Sequence, residues 1–231
     1  EQLRALKHWW EQNARWIIGS LVIAALVVGG WRLWGYWQNT RANEAAGLYA
    51  AVVQAEGQAE GRGNNLGVAA AAGKLIRAYP DTVYGALGGL ALAKSQFTQQ
   101  HLSDAESSLR AVIAHSPDQG LVQIARVRLA RVQLQRGNPK RALATLKGYA
   151  KGSFAATMQS LRGDALLQLG DTQAARAAYS KGLAESSAQS GLHQLLALRL
   201  ASLTAARPEH ATTVAATTAV KAGHATTGGN R

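Results

Sequence analysis

From Trp16 to Trp34 the chain reads WIIGSLVIAALVVGGWRLW, with no charged residue before Arg32. Nineteen residues of helix rise about 29 Å, the thickness of a bilayer's hydrocarbon core. All six tryptophans lie on this stretch or its flanks. Trp9, Trp10 and Trp16 gather on one side; Trp31, Trp34 and Trp37, with Tyr36, gather on the other. Indole rings favour the headgroup zone, where the ring is half dry and its N–H stays wet. Arg32 sits where its stem can snorkel to that interface. A buried core helix would not collect every tryptophan at its two ends. A cleaved signal peptide has an apolar core of about 7–15 residues followed by a small-residue site, not the Trp-Arg-Leu-Trp-Gly-Tyr-Trp of 31–37. The pattern predicts a transmembrane helix over 16–37 behind an N-terminal flank of 1–15.

Past the span, apolar residues recur at helical spacing, interrupted by short turn signals. Helices are predicted at 40–57, 64–78, 82–99, 103–115, 119–136, 139–150, 153–169, 172–185 and 190–203. Tyr79-Pro80-Asp81, Ser116-Pro117-Asp118, Gly137-Asn138-Pro139 and Gly170-Asp171-Thr172 mark turns. Glycine accommodates the left-handed position that closes a helix, and Asp or Asn caps the next one. No segment carries the β-branched alternation of a strand.

The helices repeat in pairs. Gly137-Asn138 and Gly170-Asp171 lie 33 residues apart, each followed by a small residue (Ala142, Ala175) and, four further on, a large one (Leu146, Tyr179). An earlier copy has Ala105, Leu109 and Pro117. Small, large and proline at these offsets is the tetratricopeptide pattern, whose period is about 34 residues. The small residue lets two helices approach; the large one fills the space beneath. The first interval, Ala105 to Ala142, is 37 residues, and Gln96, Gln133 or Leu166 stands where an aromatic is expected. The fold class is therefore all-α, an N-terminal transmembrane helix followed by a tetratricopeptide-like helical solenoid over 38–203. An ordinary helical bundle is the alternative. From residue 204 the chain turns to Ala, Thr and Gly, which predicts a disordered tail over 204–231.

Composition adds charge and removes chemistry. Lys and Arg number 25 against 13 Asp and Glu, a formal charge of +12, and there is no cysteine. Disulfides, thiolate nucleophiles and cysteine zinc sites are thereby excluded. The histidines are scattered: His101 and His115 lie near predicted helix ends, where a capping or surface role explains them, and His210 and His224 have no partner ligand spaced for them. Acids are sparse and rarely paired, and Gly88-Gly89 lies inside an apolar helix, where close packing explains it better than a phosphate loop. No catalytic, metal or cofactor residue is assigned. Arg4, Lys7 and Arg15 precede the span, whereas only Arg32 and Arg41 follow it before the acids begin. That bias places the N-terminus in the cytoplasm and the helical domain outside it. The sole methionine is Met158 and the chain opens on Glu1, so further residues are expected ahead of it.

The basic excess has one focus. Between Asp118 and Asp164 there is no acid, while Arg126, Arg128, Arg131, Arg136, Lys140, Arg141, Lys147, Lys151 and Arg162 accumulate. A solvated surface and a patch for an acidic protein or anionic headgroups both explain it; nucleic acid is a poorer fit, since no recognition motif accompanies the charge. Solenoids of this kind bind through the face lined by the first helix of each pair. That register selects Lys94, Phe97, Arg131, Gln135, Asp164 and Gln168 as candidate partner-binding residues, with Arg128 and Lys140 from the basic stretch. A mutual ion pair between Arg131 and Asp164 is the plainer alternative for those two. At the membrane interface the candidates are Trp9, Trp10, Trp16, Trp31, Arg32, Trp34, Tyr36 and Trp37.

Tyr84-Gly85-Ala86-Leu87, the run Val127-Arg128-Leu129-Ala130-Arg131-Val132-Gln133, and Leu161-Arg162-Gly163-Asp164-Ala165-Leu166-Leu167 with Gly170-Asp171 and Ala175-Arg176 resemble the YfgM-type family of ancillary SecYEG translocon subunits. Gly30-Trp31-Arg32-Leu33-Trp34 fits that family's exit from the membrane. The likeness runs from about residue 7 to 203. It implies a single-pass bacterial inner-membrane protein with its helical domain in the periplasm. It also implies association with SecYEG and the periplasmic chaperone PpiD, and a non-enzymatic role passing exported chains to folding factors. A regulator that sequesters a signalling partner and a cell-envelope assembly scaffold would suit the same architecture; an enzyme would suit it less.

Overall fold

A computed structural model of the chain describes residues 2–62, 66–148 and 152–205. Among them are nine helices and no strand. The first, α1, runs unbroken from Gln2 to Arg62, about 90 Å at the usual rise. The helix expected at 40–57 is its far half: no proline stands between the apolar stretch and Glu44, and Gly35 and Asn39 are carried within the helix. Then come α2 (Leu66–Ala78), α3 (Val83–Thr98), α4 (Leu102–His115) and α5 (Gln119–Gln135). The remaining helices are α6 (Pro139–Thr145), α7 (Ala155–Gln168), α8 (Thr172–Glu185) and α9 (Gly191–Ala205). Thr204 and Ala205, expected at the start of the disordered tail, instead close α9; the rest of that tail, 206–231, lies outside the described residues.

Among the described residues no helix is long and apolar enough to cross a membrane. Within the apolar stretch, side chains are described without a gap only from 19 to 32. There Leu21, Val22, Ile23, Leu26, Val27 and Val28 are all more than half exposed.

The chain divides into two compact units between Gly88 and Gly89, inside α3. In the first unit, α1 buries a narrow seam of Ala45, Val52 and Ala59, spaced by sevens, and α2 buries Val68, Ala72 and Leu75. Tyr49 of α1 meets Tyr84 of α3 with ring centroids 5.8 Å apart. Thr82 starts α3: its Oγ1 accepts from Gly85 N–H at 3.0 Å and donates to the Tyr79 carbonyl at 2.9 Å. A Cβ at Gly85 would collide with that same carbonyl.

The second unit is built from one turn device used repeatedly. At the end of α5, Gly137 has φ +70°, Gly137 N–H donates to Leu134 O and Asn138 N–H donates to Gln133 O. Gly170 repeats this after α7 with φ +81° and donors to Leu167 and Leu166 carbonyls. After α3 the same two bonds form, from Gln100 to Phe97 O and His101 to Gln96 O, but Gln100 takes φ +62° without glycine's freedom. Asp118 and Asp171 cap α5 and α8 by accepting from Leu121 and Ala174 N–H at 2.8 and 2.9 Å. Asn138 does not cap α6 with its side chain; Pro139 at the first turn opens it instead. That helix ends at Thr145 rather than the expected 150, because Gly148 has already turned to φ +86°.

The small-over-large pairs occupy the core. Ala105, Ala142 and Ala175 are fully buried, with Leu109, Leu146 and Tyr179 beneath them. Twelve residues upstream of each alanine, Ala93, Ala130 and Gly163 are buried too. Gly163 is the smallest of the three, and it faces the largest partner: a Cβ there would overlap the Tyr179 ring. The pair sums to a similar volume each time. Gly88 and Gly89 each pack as closely as expected, against Leu75 and Val112 respectively.

Candidate partner-binding groove

Equivalent positions of α3 and α5 lie 37 residues apart, so Lys94 and Arg131 share one register position, one residue after the buried Ala93 and Ala130. Arg128 Nη1 donates to the Leu90 carbonyl of α3 at 3.2 Å, joining the two helices directly. Between them lies a cavity of about 250 Å³ lined by Ala93, Lys94, Phe97, Leu109, Arg128, Arg131 and Val132. Leu109 and Val132 are buried and give an apolar floor; Lys94, Arg128 and Arg131 are exposed and give a basic rim. No carboxylate lines it. The volume falls below the ~300–1,000 Å³ of small-molecule sites and suits an apolar side chain or two.

Four of the eight residues selected from the sequence thus meet in one groove: Lys94, Phe97, Arg128 and Arg131. The others do not line it. Gln135 donates to Gln100 Oε1 at 3.1 Å, and Gln168 donates to the Leu134 carbonyl at 3.3 Å, so both stitch neighbouring helices. Lys140 is exposed on α6. Asp164 does not pair with Arg131. It accepts from Tyr179 Oη at 2.7 Å and from Arg199, whose guanidinium also lies 5.5 Å from the Tyr179 ring centre. Burial, then the Asp164 hydrogen bond, pushes the Tyr179 phenol well above its usual range, so it stays a donor.

Beside the groove, the sequence reading missed Glu106. This carboxylate is 1% exposed and accepts from Gln133 Nε2 at 3.2 Å and from both Arg110 and Arg136. Burial raises its pKa, but the Gln133 hydrogen bond and the two guanidinium groups outweigh that and hold it below the usual carboxylate range. The glutamines found where an aromatic was expected now have a reason. Gln96 Oε1 accepts from Ser108 and Gln133 Oε1 from Thr145, each at 2.8 Å and each across twelve residues. In the third copy the equivalent pair is Leu166 and Ala178, and the clamp becomes apolar. Arg136, counted in the basic stretch, is therefore partly spent on Glu106. Among the described residues no cluster of His, Asp or Glu could hold a metal ion.

Of the interface candidates, Trp16, Trp31 and Arg32 are exposed on α1. The side chains of Trp9, Trp10, Trp34, Tyr36 and Trp37 lie outside the described residues.

Helix pairs locked by small-over-large contacts at 33- and 37-residue intervals define a tetratricopeptide-like helical repeat protein. A family profile described as a tetratricopeptide repeat-like domain matches residues 7–205. The ancillary SecYEG translocon subunit of Escherichia coli (strain K12) is 30% identical over 203 residues, covering 88% of this chain and 95% of that one. The protein of the same name from Haemophilus influenzae is 28% identical, covering 78% of this chain and 86% of its own. That from Neisseria gonorrhoeae is 27% identical, covering 88% and 96%. No solved structure matches the chain. The chain belongs to the YfgM-type family of tetratricopeptide-repeat-like proteins.

Proposed function

We propose that this protein is a non-enzymatic ancillary subunit of the SecYEG translocon, anchored by α1 and scaffolding the transfer of exported chains to periplasmic chaperones of the PpiD kind. The observation that carries this is the match to proteins named ancillary SecYEG translocon subunits over 88% of the chain, anchor region and repeats together. The exposed apolar side chains of α1 at 21–28 support the anchor, because an apolar surface on an unbroken helix favours lipid over water. In this reading residues 16–37 span the inner membrane, the N-terminus is cytoplasmic, and the helical domain is periplasmic. The groove supports binding rather than reaction: its lining supplies guanidinium, ammonium and apolar groups.

The test is a mild-detergent purification of the intact protein with mass spectrometry of whatever accompanies it. Translocon subunits together with a membrane-anchored periplasmic chaperone are expected. Recovery of only a signalling protein or envelope-assembly machinery would overturn the assignment to export.

A further inference from the structure

We propose that the exposed face of α6 rests on anionic phospholipid headgroups, held there by Lys140, Arg141 and Lys147. The inference goes beyond the translocon reading and rests on its membrane anchor. Three observations carry it. The cations are uncommitted: all three are exposed, and among the described residues no hydrogen bond or ion pair engages their side chains. Their neighbour Arg136, by contrast, is turned to Glu106. Nor is the charge a demand of the repeat. The matching positions are Ser103, Asp104 and Arg110 in α4, and Gln173, Ala174 and Ser180 in α8. Arg110 is paired with Glu106, so of these three helices α6 alone brings free cations and no acid to the face.

The third observation concerns what the face lacks. Within α6 and its closing turn the exposed residues are Lys140, Arg141, Ala144, Lys147 and Gly148. Leu143 and Leu146 pack inward, against the core shared with α5 and α7. A protein interface draws most of its binding energy from a few large side chains in fitted pockets, and this face has none to offer. A headgroup layer is fluid and needs no fixed shape; it attracts cations that reach one plane. Lys140, Ala144 and Lys147 follow at intervals of four and three, which sets them on one side of the helix over about 10 Å, with Arg141 beside them. Lysine stems are flexible enough to meet phosphates that have no set positions. The bilayer comes with the chain: α1 exposes Leu21, Val22, Ile23, Leu26, Val27 and Val28, and a tether raises the effective concentration of headgroups around the domain.

The experiment uses the full chain, which has no cysteine, so Ala144→Cys supplies one labelling site in the middle of the face. The labelled chain is placed in nanodiscs of phosphatidylcholine, or of phosphatidylcholine with about 30% phosphatidylglycerol. Energy transfer from the label to a headgroup-linked acceptor reads the docked fraction. Each cation near an anionic surface contributes about fivefold, so the docking equilibrium should favour the anionic discs by about 100-fold. Lys140→Gln alone should lower that preference about fivefold, and replacing Lys140, Arg141 and Lys147 by Gln together should abolish it. Lys140→Arg with Lys147→Arg keeps the charge and should keep the preference. Circular dichroism melting checks that the variants fold. Equal transfer in the two discs would overturn the proposal and leave the cations to an acidic protein. A folded triple variant that keeps the anionic preference would overturn it too. Flotation with phosphatidylcholine vesicles reads the anchor separately. Flotation with equal transfer ends the α6 inference alone. A chain that floats only with phosphatidylglycerol, and no longer after the triple substitution, ends the anchor reading and upholds α6 as the lipid contact.

Discussion

Gly163 and Tyr179 show how far a single pair of residues carries the design. The ring of Tyr179 is buried where its counterparts are Leu109 and Leu146, and it fits because Gly163 replaces the alanine found at 93 and 130. Gly163→Ala should therefore cost about 1–3 kcal/mol, since the overlap is with a packed ring that has nowhere to move. Adding Tyr179→Leu should recover part of the loss, because the double variant recreates the Ala–Leu pair of the other repeats. Urea unfolding of the two single variants and the double one measures the coupling; strict additivity would contradict the volume-exchange account. Glu106 makes a second prediction. Its folded pKa is depressed, so its contribution to stability is present above the unfolded value near 4.3 and is lost as pH falls through the lower folded value. Glu106→Gln should cost about 1–3 kcal/mol at pH 7 and progressively less as pH falls below the unfolded value, read by the same unfolding curves. A loss that does not shrink with falling pH would contradict this.

At the scale of elements, the turns were the most legible part of the sequence. Gly137, Gly170, Asp118 and Asp171 announce helix ends through local backbone chemistry, and the structure places all four in those roles. Gln100 was not legible, since nothing in its side chain asks for a left-handed backbone; its conformation follows from the same two carbonyls that Gly137 closes. Gln100→Gly should stabilise the protein by about 0.5–1 kcal/mol, despite loss of the bond from Gln135, and raise its melting temperature. An unchanged or lower melting temperature would mean that the side-chain bond outweighs backbone strain. The continuity of α1 was also hidden. An apolar stretch and an amphipathic one read as two helices, although no residue between them interrupts the hydrogen-bond ladder.

For the whole molecule, the repeat period selected Lys94, Phe97 and Arg131 and the basic stretch supplied Arg128, and the four line one groove because helical register and a 37-residue interval determine which side chains share a face. What the period does not contain is the floor. Leu109 reaches the groove from α4 through packing against α5, and Asp164 of α7 meets Arg199, which α9 brings to it. Those are long-range consequences of a degenerate repeat, invisible to local pattern. The central claim is that an anchored repeat protein presents this groove to polypeptides at the translocon. The direct measurement is to place a photoreactive residue at Phe97 in the full chain, irradiate membranes during export, and identify the adducts. The account predicts crosslinks to translocon-associated proteins or to chains in transit, reduced by Lys94→Glu with Arg131→Glu. Crosslinks that appear only from a residue on the exposed face of α6, such as Lys140, with none from Phe97, would contradict it.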